Sequence, residues 1–218
     1  MKLYWLLTII LAGALVAVSV KYAENMETQT DNITHTDAES GATERIQDEM
    51  IDCIMTRASV RKYKKDAIPD SLMEKVLRAG MAAPTAMNKQ PWRFVVINER
   101  ALLDSINRQM PNVHCQDCPA AILVCGDMEK AIEGEGRDYW IQDTSAATEN
   151  ILLAAHALGL GTVWCGLTPI SERVAWMKRF LNIPAGIEPL GIICIGWPDG
   201  EATPKDKWNA EAIHYNKF

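Results

Sequence analysis

Histidine is scarce in this chain. There are four in 218 residues (His35, His114, His156 and His214), and they are scattered. No H-E-x-x-H or G-x-S-x-G occurs, so a zinc or serine hydrolase lacks its chemistry. No G-x-G-x-x-G follows an apolar run and there is no P-loop, so neither nucleotide-binding fingerprint is supported. Positive charge is in deficit, with 22 Lys and Arg against 28 Asp and Glu, a net charge of -6 and a pI of about 5.3. That excludes a broad nucleic-acid surface. It does not exclude a small anionic ligand, which needs two or three cations in one place. A single C-x-x-C occurs, Cys115-Gln116-Asp117-Cys118. One such pair cannot complete a four-ligand zinc or iron–sulfur site. A local disulfide, a redox pair or plain loop thiols remain open for it. Internal repeats are absent.

One long apolar run is present, Leu3 to Val20, bounded by Lys2 and Lys21. As a helix it would reach about 27 Å, close to the roughly 30 Å of bilayer hydrocarbon. Residues 1–22 therefore read as a signal peptide or a membrane anchor through 3–20. Ala17-Val18-Ser19 supplies a small-residue cleavage site for the first reading. The acidic stretch that follows puts the domain on the non-cytoplasmic side, with a cytoplasmic-facing anchor as the alternative. Residues 23–42 are polar and poor in large apolar side chains, as in a flexible tether. The folded domain is expected over 43–218, enough chain for a sizeable core.

Within that domain, Thr43 to Thr56 has a helical apolar face, and Pro69 opens a second helix with Ser71 and Glu74 as a capping box. Ala101–Met110, Tyr139–Leu158 and Ser171–Leu181 are further helices. The alanines of Tyr139–Leu158 allow close packing, as in a central or dimer-interface helix. Phe94–Ile97, Ala120–Cys125, Thr162–Cys165 and Leu190–Trp197 are apolar strands. Cys125, Cys165 and Cys194 fall in these strands and read as buried free thiols. The tail, 199–218, is polar with scattered aromatics, an arm suited to packing on a partner subunit. Helices and strands alternate, giving α+β or α/β with helices on both faces of a small sheet.

Arg57-Ala58-Ser59-Val60-Arg61 puts a polar or cationic side chain at every second position. In an extended backbone these share one face. Two guanidiniums flanking a hydroxyl form a donor-only cluster suited to phosphate. Taken alone, the run reads equally as a solvated strand edge. Pro84-Thr85-Ala86-Met87-Asn88 is a non-helical loop before Gln90-Pro91-Trp92, and Asn88 offers both a donor and an acceptor to a flat ligand. Lys205 and Lys207 alternate in the tail.

Together with Ala154-Ala155-His156-Ala157-Leu158-Gly159-Leu160-Gly161, these segments resemble the nitroreductase family of FMN-dependent oxidoreductases, from about residue 50 to the end. The resemblance implies a three-layer α/β/α sandwich with a central, mainly antiparallel sheet, and a homodimer with FMN at the interface. It assigns Arg57, Ala58, Ser59 and Arg61 to the FMN phosphate and ribityl chain. Pro84, Thr85, Ala86 and Asn88 go to the isoalloxazine edge. Trp164, Cys165 and Gly166 go beside N5, and Lys205 and Lys207 to the phosphate. Gln142, before the long interface helix, is a looser assignment. No side chain is implied as acid or base; the flavin carries the chemistry. NADH or NADPH is the implied donor, with nitroaromatic or quinone-type acceptors in a ping-pong cycle. Two alternatives stand beside this. One is reductive dehalogenation of the iodotyrosine deiodinase type, suggested by Thr168-Pro169. The other is a flavin-binding redox-sensing module with Cys115 and Cys118 as the responsive pair.

Overall fold

A computed structural model of the chain describes residues 48–218. The expectations for 1–47, including the apolar segment, the tether and the start of the first helix, lie outside these residues. Among the described residues, no helix is long and apolar enough to cross a membrane. Residues 48–56 are helical (α1), and the compact unit that holds the sheet runs from Cys53 to Phe218.

The order after α1 is α2 (Asp70–Met81), β1 (Trp92–Ile97), α3 (Arg100–Gln109) and β2 (Ala120–Asp127). Then come α4 (Tyr139–Ala157), β3 (Gly161–Gly166), α5 (Ser171–Phe180) and β4 (Ile187–Gly196). The four strands form one antiparallel sheet in the order β1-β2-β4-β3. Its centre is β2 against β4, with Leu123 opposite Ile192 and Ile122 opposite Ile193. Both strands are Ile-, Leu- and Val-rich, as expected of strands covered on both faces.

Because successive side chains point to opposite faces, these two strands feed two cores. Leu123, Cys125, Ile192 and Cys194 pack with Leu103, Ile106 and Met177 from α3 and α5. Ile122, Val124, Ile193 and Ile195 pack with Val76 of α2 and Ile151, Leu152 and Ala155 of α4. Helices thus cover both faces, which is the expected three-layer α+β arrangement. On the second face α2 and α4 approach closely at Gly80. A methyl group there would sit 2.8 Å from the Ile151 side chain. Two buried threonines of α4 are satisfied locally: Thr144 Oγ1 donates to the Trp140 carbonyl (2.6 Å) and Thr148 Oγ1 to the Thr144 carbonyl (2.8 Å).

Several local expectations are corrected. The capping box is absent: α2 starts at Asp70 with Pro69 as its N-cap, and no side chain caps it. Glu74 instead pairs with Arg78 one turn on, at 2.7 Å. The fourth strand starts at Ile187 rather than Leu190, because pairing with β2 continues past an irregularity at Val124/Cys125. Cys115 and Cys118 lie in a loop, but both are fully buried and free, so no local disulfide joins them. Cys165 is half-buried rather than buried. The tail after Gly200 is exposed, with Trp208, Tyr215 and Phe218 in the open.

Candidate functional site

β3 is the edge strand of the sheet, so its outer backbone groups are free to pair. Residues 57–61 use them. The Val60 N–H donates to the Thr162 carbonyl at 2.8 Å, and Ser59 bridges Thr162 in parallel. Gly161 makes this approach possible, since a Cβ there would lie 2.7 Å from Val60 Cβ. With Val60 turned onto the strand, Arg57, Ser59 and Arg61 fall on the other face. Arg57 is half-buried and the other two are exposed. Arg57 Nε lies 3.4 Å from Glu149 Oε1 of α4. The segment's end is fixed by Tyr63, whose hydroxyl donates to the Val60 and Cys194 carbonyls. Burial holds that phenol well above its ordinary pKa.

Farther along β3, the strand emerges from the core at Trp164, Cys165 and Gly166. Burial raises the Cys165 pKa; the nearby Arg61 and Arg173 only oppose this, so the thiol is neutral at ordinary pH. Arg173, in the first turn of α5, donates to the Gly166 carbonyl at 3.2 Å. Sequence reasoning missed Arg173, and nothing in its local pattern marks it.

The second group of predicted residues lies on the loop between α2 and β1. The Ala86 N–H donates to Asp143 Oδ1 at 2.7 Å, and the Gln90 N–H donates to Thr85 Oγ1 at 3.1 Å. Three non-glycine residues take left-handed backbone conformations here: Met87 (φ 51°), Asn88 (φ 54°) and Gln90 (φ 51°). Such strain persists only where surrounding contacts impose it, and it clusters at binding sites. Asn88 is exposed, and its Oδ1 accepts from Gln90 Nε2 at 3.0 Å. Asp143 was also missed. Its signal is a carboxylate on the buried stripe of an alanine-rich helix. Gln142 is the exposed residue just before it.

The structure therefore brings Arg57, Ala58, Ser59 and Arg61 beside Trp164, Cys165 and Gly166. It anchors Pro84–Asn88 to α4 next to Gln142. α4 serves both groups, through Glu149 and Asp143. Among the described residues, no hydrogen bond or ion pair joins the two groups directly. Nor does one tie the exposed Lys205 and Lys207 to Arg57, Ser59 or Arg61.

The β3 edge is thus flanked by the donor side chains of Arg57, Ser59 and Arg61. The sequence model of the Nitroreductase family matches residues 54–116 and 108–197. A candidate NADH dehydrogenase/NAD(P)H nitroreductase of Methanothermobacter thermautotrophicus is 39% identical over 177 residues, covering 78% of this chain and 88% of that one. Among solved structures, a candidate NADH dehydrogenase/NAD(P)H nitroreductase of Parabacteroides distasonis superposes with a TM-score of 0.74 at 37% identity, covering 78% and 99%. A candidate nitroreductase of Desulfovibrio desulfuricans, in complex with FMN, gives 0.67 at 31% identity, covering 78% and 97%. The chain belongs to the nitroreductase family.

Proposed function

We propose that this chain is an NAD(P)H-dependent oxidoreductase that holds FMN along the outer edge of β3. The observation that carries the reading is the pairing of 57–61 with Thr162. It sets two guanidiniums and a hydroxyl on one face, beside a strand end that is open to solvent. The donor set fits the group: the phosphate requires cations and hydroxyls, and the flavin ring edge requires amide donors and acceptors. When bound, FMN would supply hydride chemistry at N5 between NADH or NADPH and a nitroaromatic or quinone-type acceptor in a ping-pong cycle, with the remaining proton drawn from solvent.

The chain's own residues bind and orient. Arg57, Ser59 and Arg61 hold the phosphate and ribityl chain, with Ala58 between them; Glu149 keeps the Arg57 fork aimed while it is free. Lys205 and Lys207 come to the phosphate from the tail. Pro84, Thr85, Ala86 and Asn88 meet the ring edge from a loop that Asp143 holds, with Gln142 beside it. The backbone of Trp164, Cys165 and Gly166 faces N5, and the Cys165 thiol stays protonated. Arg173 fixes the carbonyl side of Gly166.

Two such chains form the working unit, with flavin between them. What supports this is the apolar surface left open around the site: Met87, Tyr139, Ile141 and Trp164, together with the aromatic tail residues Trp208, Tyr215 and Phe218. Purified full-length protein should be yellow, and anaerobic NADH or NADPH should bleach it. Initial-rate plots against nitrofurazone or menadione should give parallel lines. A colourless protein after FMN reconstitution, with no NAD(P)H oxidation, ends the reading. The anchor on 3–20, with the domain on the non-cytoplasmic side, is tested by N-terminal sequencing and protease accessibility of the native protein.

A further inference from the structure

Three thiols meet inside the α3/α5 core. Cys115 and Cys118 come from the loop between α3 and β2, and Cys194 comes from near the C-terminal end of β4. All three are fully buried, and their sulfurs lie within 4.8 Å of one another. Cys115 Sγ and Cys194 Sγ are 3.1 Å apart although 79 residues separate them. The C-x-x-C that could not form a site alone thus finds its third sulfur on the sheet.

The loop is built to present them. His114 turns the chain through a left-handed conformation (φ 58°) immediately before Cys115. Arg100, at the start of α3, then clamps both cysteine carbonyls. Nη2 donates to Cys115 O at 2.7 Å and Nη1 to Cys118 O at 2.9 Å. The guanidinium, whose Nε also pairs with Asp104 at 2.9 Å, therefore lies beside the cluster of sulfurs.

We propose that Cys115, Cys118 and Cys194 form a structural binding site for a thiophilic d10 metal ion, with zinc as the natural probe. Zinc–thiolate bonds of about 2.3 Å require sulfurs ~3.8 Å apart in a tetrahedral shell; the three sulfurs lie within 4.8 Å of one another, and Cys115 and Cys194, at 3.1 Å, would separate slightly to admit the ion. Softness selects the class: an all-sulfur donor set favours zinc or copper(I) over magnesium or calcium. The fourth position of the shell is left to an exogenous ligand such as water. Arg100 supplies the outer contacts that orient such ligands. Access is through the cavity of about 500 Å³ on the loop's outer side, lined by Arg100, Gln116, Asp117 and Cys118. The metal would tie the loop to β4 and needs no flavin to bind.

The test uses the full chain, purified under reducing conditions with its flavin, loaded with zinc and dialysed. About one retained zinc per chain is expected, with an X-ray absorption first shell of sulfur at about 2.3 Å. Cys194→Ser and Cys118→Ser should weaken retention by about tenfold or more, whereas Cys53→Ser, outside the cluster, should not. A folded, reduced wild type that retains no zinc overturns the proposal, as does a shell of nitrogen and oxygen. So does equal retention in Cys194→Ser, or a native Cys115–Cys194 disulfide that excludes the metal. If Cys194→Ser fails to fold, the wild-type absorption spectrum still decides.

Discussion

β2 and β3 flank the same strand, β4, and both run antiparallel to it. Every residue of β2 is buried. β3 is buried for three residues, Gly161 to Val163, and then emerges at Trp164. The two begin in the same core and are read by the same partner, yet only one is available to a ligand. What separates them is position: a central strand has its ladder satisfied on both sides, whereas an edge strand keeps donors and acceptors in reserve. The chain fills part of that reserve with its own segment, 57–61. In doing so it sets Arg57, Ser59 and Arg61 on one face.

The contrast predicts that damage to the two strands is read by different instruments. Leu123→Ala, in the middle of β2, should cost about 3 kcal/mol of stability in urea unfolding. FMN bound per folded chain should be unchanged. Arg57→Ala, beside β3, should do the reverse. Loss of a charged hydrogen bond of about 1.5–3 kcal/mol weakens FMN about 10- to 100-fold in a fluorescence titration, and the apoprotein's Tm stays put. If both variants lower stability and affinity together, the division between scaffold strand and site strand is wrong.

Gly161→Ala tests the seam. Its new methyl group meets Val60 at 2.7 Å, with no flexible tip to give way. Overpacking of about 1–3 kcal/mol should appear in both measurements at once.

A pH series sharpens the comparison on the buried side. Burial raises the Cys125 pKa from 9.0 to about 12. The folded chain therefore keeps a proton that the unfolded chain loses. This contribution is complete below pH 9 and is lost as pH rises toward 12. Wild-type stability should fall more steeply than that of Cys125→Ala, by about 1.4 kcal/mol per pH unit in this window. Smallest is the exposed Glu74–Arg78 pair on α2, where Arg78→Ala should cost under about 0.5 kcal/mol.

Much of this was legible in the sequence, for identifiable reasons. Ala120–Cys125 and Leu190–Trp197 are uncharged, largely apolar runs, so both central strands were readable and erred only at their ends. The alternation of 57, 59 and 61 was visible, but not the edge it would pair with, because pairing depends on a strand a hundred residues away. Arg173 was invisible as a site residue for the same reason, since it acts on a backbone group brought near only by folding; Asp143 left only the trace of a carboxylate on a buried helix stripe. The capping box failed because a local pattern competes with where the helix actually starts, one residue after Pro69. Cys115 and Cys118 were read as a pair because spacing reveals only neighbours along the chain, and their third sulfur lies on β4.

The loop at 87–90 has a consequence for anyone who would improve this protein. Each left-handed non-glycine residue there carries about 1–2 kcal/mol of conformational strain. A stability screen would find glycine at Met87 or Asn88 and reward it. Glycine at 88 discards the side-chain amide that the proposed flavin site relies on, and at 87 it loosens the loop that carries it. Selection for heat resistance and selection for turnover should therefore pull these positions in opposite directions. A variant library scored on both would locate the binding loop without any ligand being seen.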